Sequence, residues 1–274
     1  MSHLRFDGRV VVVTGAGSGL GERIAVQLAE RGARVVVNDA DAGASTEVVH
    51  EIEHRGGTAI ASGDKPDTPE GAQAVVAAAL AGFGAVDVVV HHARPSEDGS
   101  SHALLSGAEP GESLRGLFAG IWVAHAAWAH MREARYGRLV MICPMDRSID
   151  EAQEAVDALT GPGLVGLLNI LKLEGADRDL KANMVVPGTT GDPVAVADLV
   201  TYLAHEECAP TGELFAVERA GLARLFVGVT RGIYASDLTM ETVHDRVNAF
   251  MDPGQFIVPD EASEEITLLM ADLR

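Results

Sequence analysis

Along most of the chain, short runs of nearly uninterrupted branched apolar residues alternate with longer stretches where alanine, leucine and valine recur every three or four positions. Continuous apolar runs bounded by turn residues read as strands buried on both faces, and the three-to-four spacing reads as helices with one apolar side. The pattern predicts strands over Arg9–Thr14, Arg34–Asn38, Thr58–Ser62, Val86–His91, Gly137–Cys143, Ala182–Val186 and Leu214–Val217. Between them it predicts helices over Leu20–Arg31, Ala44–Arg55, Glu70–Gly82, Gly111–Ala134, Leu164–Gly175 and Val194–Ala204. Strands and helices taken in turn specify an α/β chain: a doubly wound parallel sheet of the Rossmann type, with about seven strands and helices on both faces. Residues 1–223 make up that domain. Residues 224–274 form a C-terminal extension expected to pack on it or across an oligomer interface.

One segment resists the pattern. Leu164, Leu167, Leu168 and Leu171 keep helical spacing, but Gly161-Pro162-Gly163 lies just upstream. Proline removes a backbone donor, and glycine costs about 1 kcal/mol relative to alanine inside a helix. The helix is therefore expected to start at about Gly163, with Pro162 at its first turn, a position proline tolerates.

Composition narrows the class. With 274 residues, 47% of them hydrophobic, the chain can bury a large core, but only 4% are aromatic, so small aliphatic side chains must fill it. A formal net charge of −19 opposes phosphate backbones and anionic lipid surfaces, so neither nucleic acid nor membrane is an expected partner. Cys143 and Cys208 sit outside any CxxC, and the ten histidines show no ligand spacing, so no metal site and no disulfide framework is expected. No apolar run approaches the roughly 20 residues that cross a bilayer, and the first residues lack the apolar core of a signal peptide. The expected setting is cytoplasmic and reducing.

The chemistry begins at the first predicted turn, Thr14-Gly15-Ala16-Gly17-Ser18-Gly19-Leu20-Gly21, directly after a strand and opening a helix. Gly15, Gly19 and Gly21 let backbone approach a pyrophosphate, which the helix N-terminus stabilises; Ser18 and Leu20 belong to the same cradle. Asp39 ends the second strand, where an acidic side chain accepts hydrogen bonds from the adenosine ribose and repels a 2′-phosphate, so NAD is preferred over NADP. Asp64, after the third strand, is a candidate contact for the adenine ring. The alternatives are a glycine-rich turn needed only for tight packing and, for Asp39, an ordinary strand-end turn aspartate; for Asp64 a purely structural role stands beside the contact.

TGAGSGLG at 14–21 resembles the glycine signature of the short-chain dehydrogenase/reductase family, and the likeness continues over roughly residues 5–220. Phe83 to Val90, Ala127-Trp128-Ala129-His130-Met131, Tyr136 to Val140, and Asn183-Met184-Val185-Val186-Pro187-Gly188 are similar to its fourth-strand entry, fourth helix, fifth strand and sixth strand. The tail from Phe226, with Asp237-Leu238-Thr239-Met240, is similar to the subgroup of bacterial (3R)-hydroxyacyl-CoA and 17β-hydroxysteroid dehydrogenases. The resemblance implies a hydride transfer to or from nicotinamide, with tyrosine moving the proton, lysine four residues on lowering its pKa, serine holding the substrate oxygen and asparagine anchoring a water relay.

Matched residue by residue, those four positions hold Asp157 for tyrosine, Gly161 for lysine, Pro144 for serine and Ser113 for asparagine. None of the three tyrosines, Tyr136, Tyr202 and Tyr234, has a lysine four residues later. The family's NNAG is His91-His92-Ala93-Arg94 here, so Ala93 and Arg94 flank the cofactor position, and Arg94 either fills part of the nicotinamide site, grips the pyrophosphate or faces solvent. His91 and His92 read as packed or capping residues. After Gly188, active members insert a mobile segment of roughly 20 or more residues that closes over substrate. Here Thr189-Thr190-Gly191-Asp192-Pro193 leads almost directly into a helix.

The expectation is a chain of this fold that has lost the dehydrogenase chemistry and acts as a structural or regulatory subunit. Its partner is a second copy or an active homologue in acyl-CoA or steroid metabolism, and Ile121-Trp122-Val123 with Trp128 are candidate contacts. Two alternatives stand beside it. One is an NAD-dependent oxidoreductase of hydroxyacyl-CoA or steroid-like substrates, working through Asp157, Cys143 or Asp146. The other is an NAD-binding sensor without turnover.

Overall fold

The computed structural model describes residues 4–92, 114–143, 152–188, 192–230, 232–233, 237–254 and 256–258, with side chains omitted for 152–159. It divides into two compact units, Met1–Arg224 and Leu225–Arg274.

The first unit is built on an eight-stranded sheet in the order β3-β2-β1-β4-β5-β6-β7-β8. Its strands are β1 (Val10–Thr14), β2 (Arg34–Asn38), β3 (Thr58–Ser62), β4 (Val88–His92), β5 (Tyr136–Ile142), β6 (Asp179–Pro187), β7 (Leu214–Glu218) and β8 (Gly221–Leu225). Every pair from β3 through to β7 is parallel, with Val11 opposite Val35 and Val88 across the centre. The doubly wound parallel sheet expected from the sequence is present. β8, which the apolar pattern does not reveal, follows β7 after only Arg219 and Ala220, a connection that only an antiparallel neighbour permits. β8 is largely exposed, so it carries no continuous apolar run to be read.

Alternation along the strands sorts the core into two layers. Val11, Val13, Val35, Val37, Val88, Val90, Val140 and Ile142 pack with α1 (Gly19–Glu30), α2 (Ala42–His54) and α6 (Pro193–Ala204). Their neighbours Val10, Val12, Val36, Val89, Leu139 and Met141, all fully buried, take the other face. That face carries α3 (Pro69–Phe83), α4 (Arg115–Ala134) and α5 (Ala152–Gly175), where α4 packs against both of the others. Val123 and Trp128 of α4, considered above as partner contacts, belong to this core: they are 0% and 8% exposed. The Trp128 indole N–H donates to Glu174 of α5 at 2.8 Å.

α5 corrects the expected helix break. It runs without interruption from Ala152 to Gly175, with Pro162 inside it. The residue before a proline is normally driven out of helical geometry by a clash through its Cβ, and Gly161 has none. Pro162 faces solvent, the side of a helix on which a missing backbone donor is most readily tolerated. Gly163 then lets α5 close on α4, because a Cβ there would meet both terminal methyls of Leu117 at 2.8 Å. Tertiary packing outweighs the local propensity that the sequence shows.

At the N-terminal ends of the strands, one cation is fully enclosed. Arg138 is 0% exposed, and its guanidinium donates to the carbonyls of Gly137, Asp179, His205 and Glu206 and to the Asp179 carboxylate at 2.9–3.1 Å. This set of acceptors offsets the cost of burying the charge and joins β5, the start of β6 and the end of α6.

The second unit, from Leu225, holds β9 (Val229–Thr230) paired antiparallel with β10 (Phe256–Ile257), and α7 (Met240–Phe250). Phe226 and Phe256 stack at 5.6 Å between ring centroids. The hydroxyl of Thr239 accepts from the Thr242 N–H and caps α7, none of whose residues is buried.

Candidate functional site

The C-terminal ends of β1, β2 and β4 open into a cleft of about 1040 Å³. This is where a parallel sheet with helices on both sides leaves a crevice, because the strand order reverses on either side of β1. Thr14, Gly15, Gly17 and Ser18 form its near wall, Asp39 to Ala44 one end, and His91, His92, Arg115 and Gly116 the other.

The first turn is shaped for close backbone approach. Gly15 and Gly19 have φ of +64° and +61°, a region open to glycine. Gly21 lies so near the turn that a Cβ would fall 2.0 Å from the Gly15 carbonyl oxygen. The N-terminus of α1 is thereby pressed against the end of β1, which gives the N–H groups and helix dipole that a diphosphate requires. Gly15 and Ser18 line the cleft, whereas Gly19, Leu20 and Gly21 are not part of its lining. The Gly19 N–H donates to the Glu22 carboxylate at 3.1 Å.

Asp39 sits at the cleft end, 8% exposed. Its two carboxylate oxygens accept from the backbone N–H groups of Gly17 and Asp41, each at 3.0 Å. Asp41 in turn caps α2, accepting from the N–H groups of Gly43 and Ala44. Asp64 does not line the cleft. Its carboxylate accepts from the Ser62 hydroxyl at 3.0 Å and its carbonyl from Asn38 Nδ2 at 2.8 Å, so it braces the loop whose next residues, Lys65 to Asp67, form the opposing wall.

His91 is a strut. Its ring is wholly buried, and burial pushes its pKa down to about 4, so the imidazole is neutral near pH 7. The Thr14 hydroxyl lies 2.8 Å from Nδ1, and the Gly116 carbonyl 3.4 Å from Nε2. With a neutral ring, Thr14 donates to Nδ1 and Nε2–H donates to Gly116. The ring therefore joins the ends of β1 and β4 to the first turn of α4 across the floor of the cleft.

Of the four family positions, Asp157 and Gly161 both lie on α5, one turn apart, and Gly161 is buried. Ser113, Pro144 and the side chain of Asp157 lie outside the described residues, as do Ala93, Arg94, Asp146 and Tyr234. Cys143 follows β5 and is 1% exposed. Tyr136 begins β5 at the end of the sheet opposite the cleft, between the guanidinium groups of Arg9 and Arg138, 3.8 and 4.6 Å from its ring centroid. Burial raises its pKa. Tyr202 lies on α6, on the other layer from α5. Lys65 and Arg115, the two cations of the described lining, are not singled out by the sequence reading, since isolated loop and helix-start cations carry no motif. Among the described residues no group of three or more His, Cys, Asp or Glu is placed to hold a metal, and no helix is long and apolar enough to cross a membrane.

Comparison with known proteins agrees with this geometry. The model of the short chain dehydrogenase family matches residues 9–199. A short-chain type dehydrogenase/reductase of Mycobacterium tuberculosis is 37% identical over 76% of the chain and 82% of its own length. Peroxisomal multifunctional enzyme type 2 of Mus musculus is 34% identical over 96% of the chain, which spans 39% of that protein. The full-length structure of peroxisomal multifunctional enzyme type 2 from Drosophila melanogaster superposes with a TM-score of 0.81 at 26% identity, covering 98% of this chain and 50% of that one.

Proposed function

The chain belongs to the short-chain dehydrogenase family, and we propose that within it the chain is a nucleotide-holding subunit that has given up the hydride-transfer chemistry. The family's members bind NAD or NADP, and the present cleft fits such a dinucleotide: a bare glycine turn, the start of a helix and a carboxylate at the end of β2. When bound, the nicotinamide supplies a place for hydride. What this chain would have to add is a proton donor held beside it.

The observation that carries the proposal is on α5. On the family resemblance the tyrosine and lysine positions fall on Asp157 and Gly161, which lie one turn apart on α5. Glycine brings no charge to lower a neighbour's pKa, and the described tyrosines, Tyr136 and Tyr202, are built into other parts of the molecule. Asp39 favours NAD over NADP, since a carboxylate repels a 2′-phosphate. Surface chemistry supports assembly: Leu173 and Ile170 on α5 and Phe118 on α4 are 77%, 54% and 37% exposed, large apolar side chains for a second copy or an active homologue to cover. The substrate field of that homologue is taken to be acyl-CoA or steroid metabolism.

The direct test is turnover of NADH by the purified chain with a panel of β-ketoacyl-CoA and ketosteroid substrates. No reduction is expected, and robust reduction overturns the proposal. Assembly is tested by co-expressing the chain with a dehydrogenase encoded beside its gene, followed by native mass spectrometry. Mixed species with altered neighbour activity are expected, whereas purely homomeric species with an unaltered neighbour count against a regulatory role.

A further inference from the structure

Gly71 stands in the first turn of α3, outside the lining of the cleft, and its φ is not positive, so its backbone conformation does not require glycine. What it permits is close contact. A Cβ at position 71 would lie 1.8 Å from the Lys65 carbonyl oxygen, 2.8 Å from the Lys65 carbonyl carbon and 3.2 Å from the Thr68 hydroxyl oxygen. The loop after β3 is thereby laid directly on the start of α3. It is held at other points too: Asn38 Nδ2 donates to the Asp64 carbonyl at 2.8 Å, and the Thr68 hydroxyl accepts from the Gly71 N–H at 3.1 Å. Pro66 and Pro69 restrict their own φ and confine the residues before them, Lys65 and Thr68. A loop stiffened in this way passes a displacement on instead of absorbing it.

We infer that Gly71 is a positioning residue for the nucleotide cleft: it acts through the Lys65 carbonyl and sets where the wall of Lys65, Pro66 and Asp67 stands. The inference rests on reading the cleft as a dinucleotide site. That wall follows β3, the neighbour of the strand that ends at Asn38 and Asp39, so it flanks the adenosine end. An ordinary carbon–oxygen contact is about 3.3 Å, so Gly71→Ala would drive the Lys65 carbonyl back by roughly 1.5 Å. A preformed cleft binds through groups already in place when the ligand arrives, and a wall displaced that far no longer meets an adenosine seated on the glycine turn. Gly71 thus governs the cleft from a helix that does not line it.

The test is calorimetric titration of the full chain with NAD, ADP-ribose and AMP, at a temperature well below the melting point of every variant. The wild type is expected to bind, and Gly71→Ala to lose roughly tenfold or more with each ligand, since all three carry the adenosine. Gly82→Ala makes the same exchange at the other end of α3, where a Cβ would closely meet only the flexible Cδ1 end of Ile60. It is expected to change affinity less than about twofold. Pro66→Gly frees the Lys65 carbonyl to turn aside, so in that background Gly71→Ala is expected to cost less than about twofold, the signature of coupled residues. A glycine needed only for α3 itself would cost the same in both backgrounds. Unchanged affinity in Gly71→Ala, an equal loss in Gly82→Ala, or an equal cost in both backgrounds overturns the inference while leaving the cofactor reading intact. If Gly71→Ala does not fold, folding of the Gly71→Ala/Pro66→Gly chain supports the inference and its collapse overturns it. A wild type that takes none of the three ligands overturns the cofactor reading itself, and this inference with it.

Discussion

The β1–α1 turn and α5 are built to different standards. At the turn, the Asp39 carboxylate accepts from the backbone N–H groups of Gly17 and Asp41 at 3.0 Å, and Gly21 fits against Gly15 with no room for a methyl group. On α5, the two positions that the family resemblance assigns to a tyrosine and a lysine are Asp157 and Gly161, and the next residue is a proline inside the helix. Sites that do chemistry tolerate little departure from a fixed geometry, and the α5 segment departs in residue type and in local stability together. If the proposed function holds, the difference teaches that nucleotide holding and hydride transfer are separable within one fold, since they would reside on different elements: the β1–α1 turn and β2 for one, α5 for the other.

The comparison is broken most sharply at Gly21. Gly21→Ala is expected to abolish dinucleotide binding and to cost about 3 kcal/mol of stability, because backbone rather than a flexible side chain must yield; calorimetry and urea unfolding measure both. An unaltered variant would remove the argument that the turn is built for close approach.

His91 provides the next largest effect. Its pKa is about 4 in the folded chain against an ordinary 6.5, so the unfolded chain binds more protons in between. Stability from this group is full above pH 6.5 and is lost as pH falls towards 4, by about 3 kcal/mol at most. His92, beside it, acts in the same direction. Unfolding of the wild type and His91→Asn, compared across pH 4–7, should show the extra slope only in the wild type; parallel curves would contradict the buried neutral ring.

Pro162→Ala is expected to stabilise the chain by about 2 kcal/mol, since a helix-interior proline costs about 3 relative to alanine and the exposed face recovers part of that from water. A loss of stability would mean that the proline positions α5. The smallest effect belongs to Asp39→Asn, which should lower the preference for NAD over NADP roughly tenfold, or about 1.4 kcal/mol, in paired titrations. A ratio that does not move would assign the selectivity elsewhere in the cleft.

The strands, their order of appearance and the glycine turn were legible because each is written in a continuous stretch: four valines in β1, three in β2, and a turn set between a strand and a helix. What was not legible depends on partners distant in sequence. Pro162 reads as a helix breaker until Gly161 and Leu117 are placed around it. Trp128 reads equally well as interface or core until Glu174 meets its indole. Lys65 reaches the cleft from a loop and Arg115 from the start of α4, and they carry no spacing signal. β8 to β10 and α7 bury too little apolar surface to imprint a period.

Arg138 bears on how the chain is completed. Its guanidinium relies on carbonyls 67 and 68 residues downstream, at His205 and Glu206. Until that stretch arrives, β5 holds a cation that must either keep its water or leave the sheet. The middle of the domain therefore cannot settle as a finished sub-domain while its last third is still being synthesised, and a chain cut short before Glu206 is expected to be a substrate for proteases. One buried side chain thus ties β5 and the start of β6 to the end of α6.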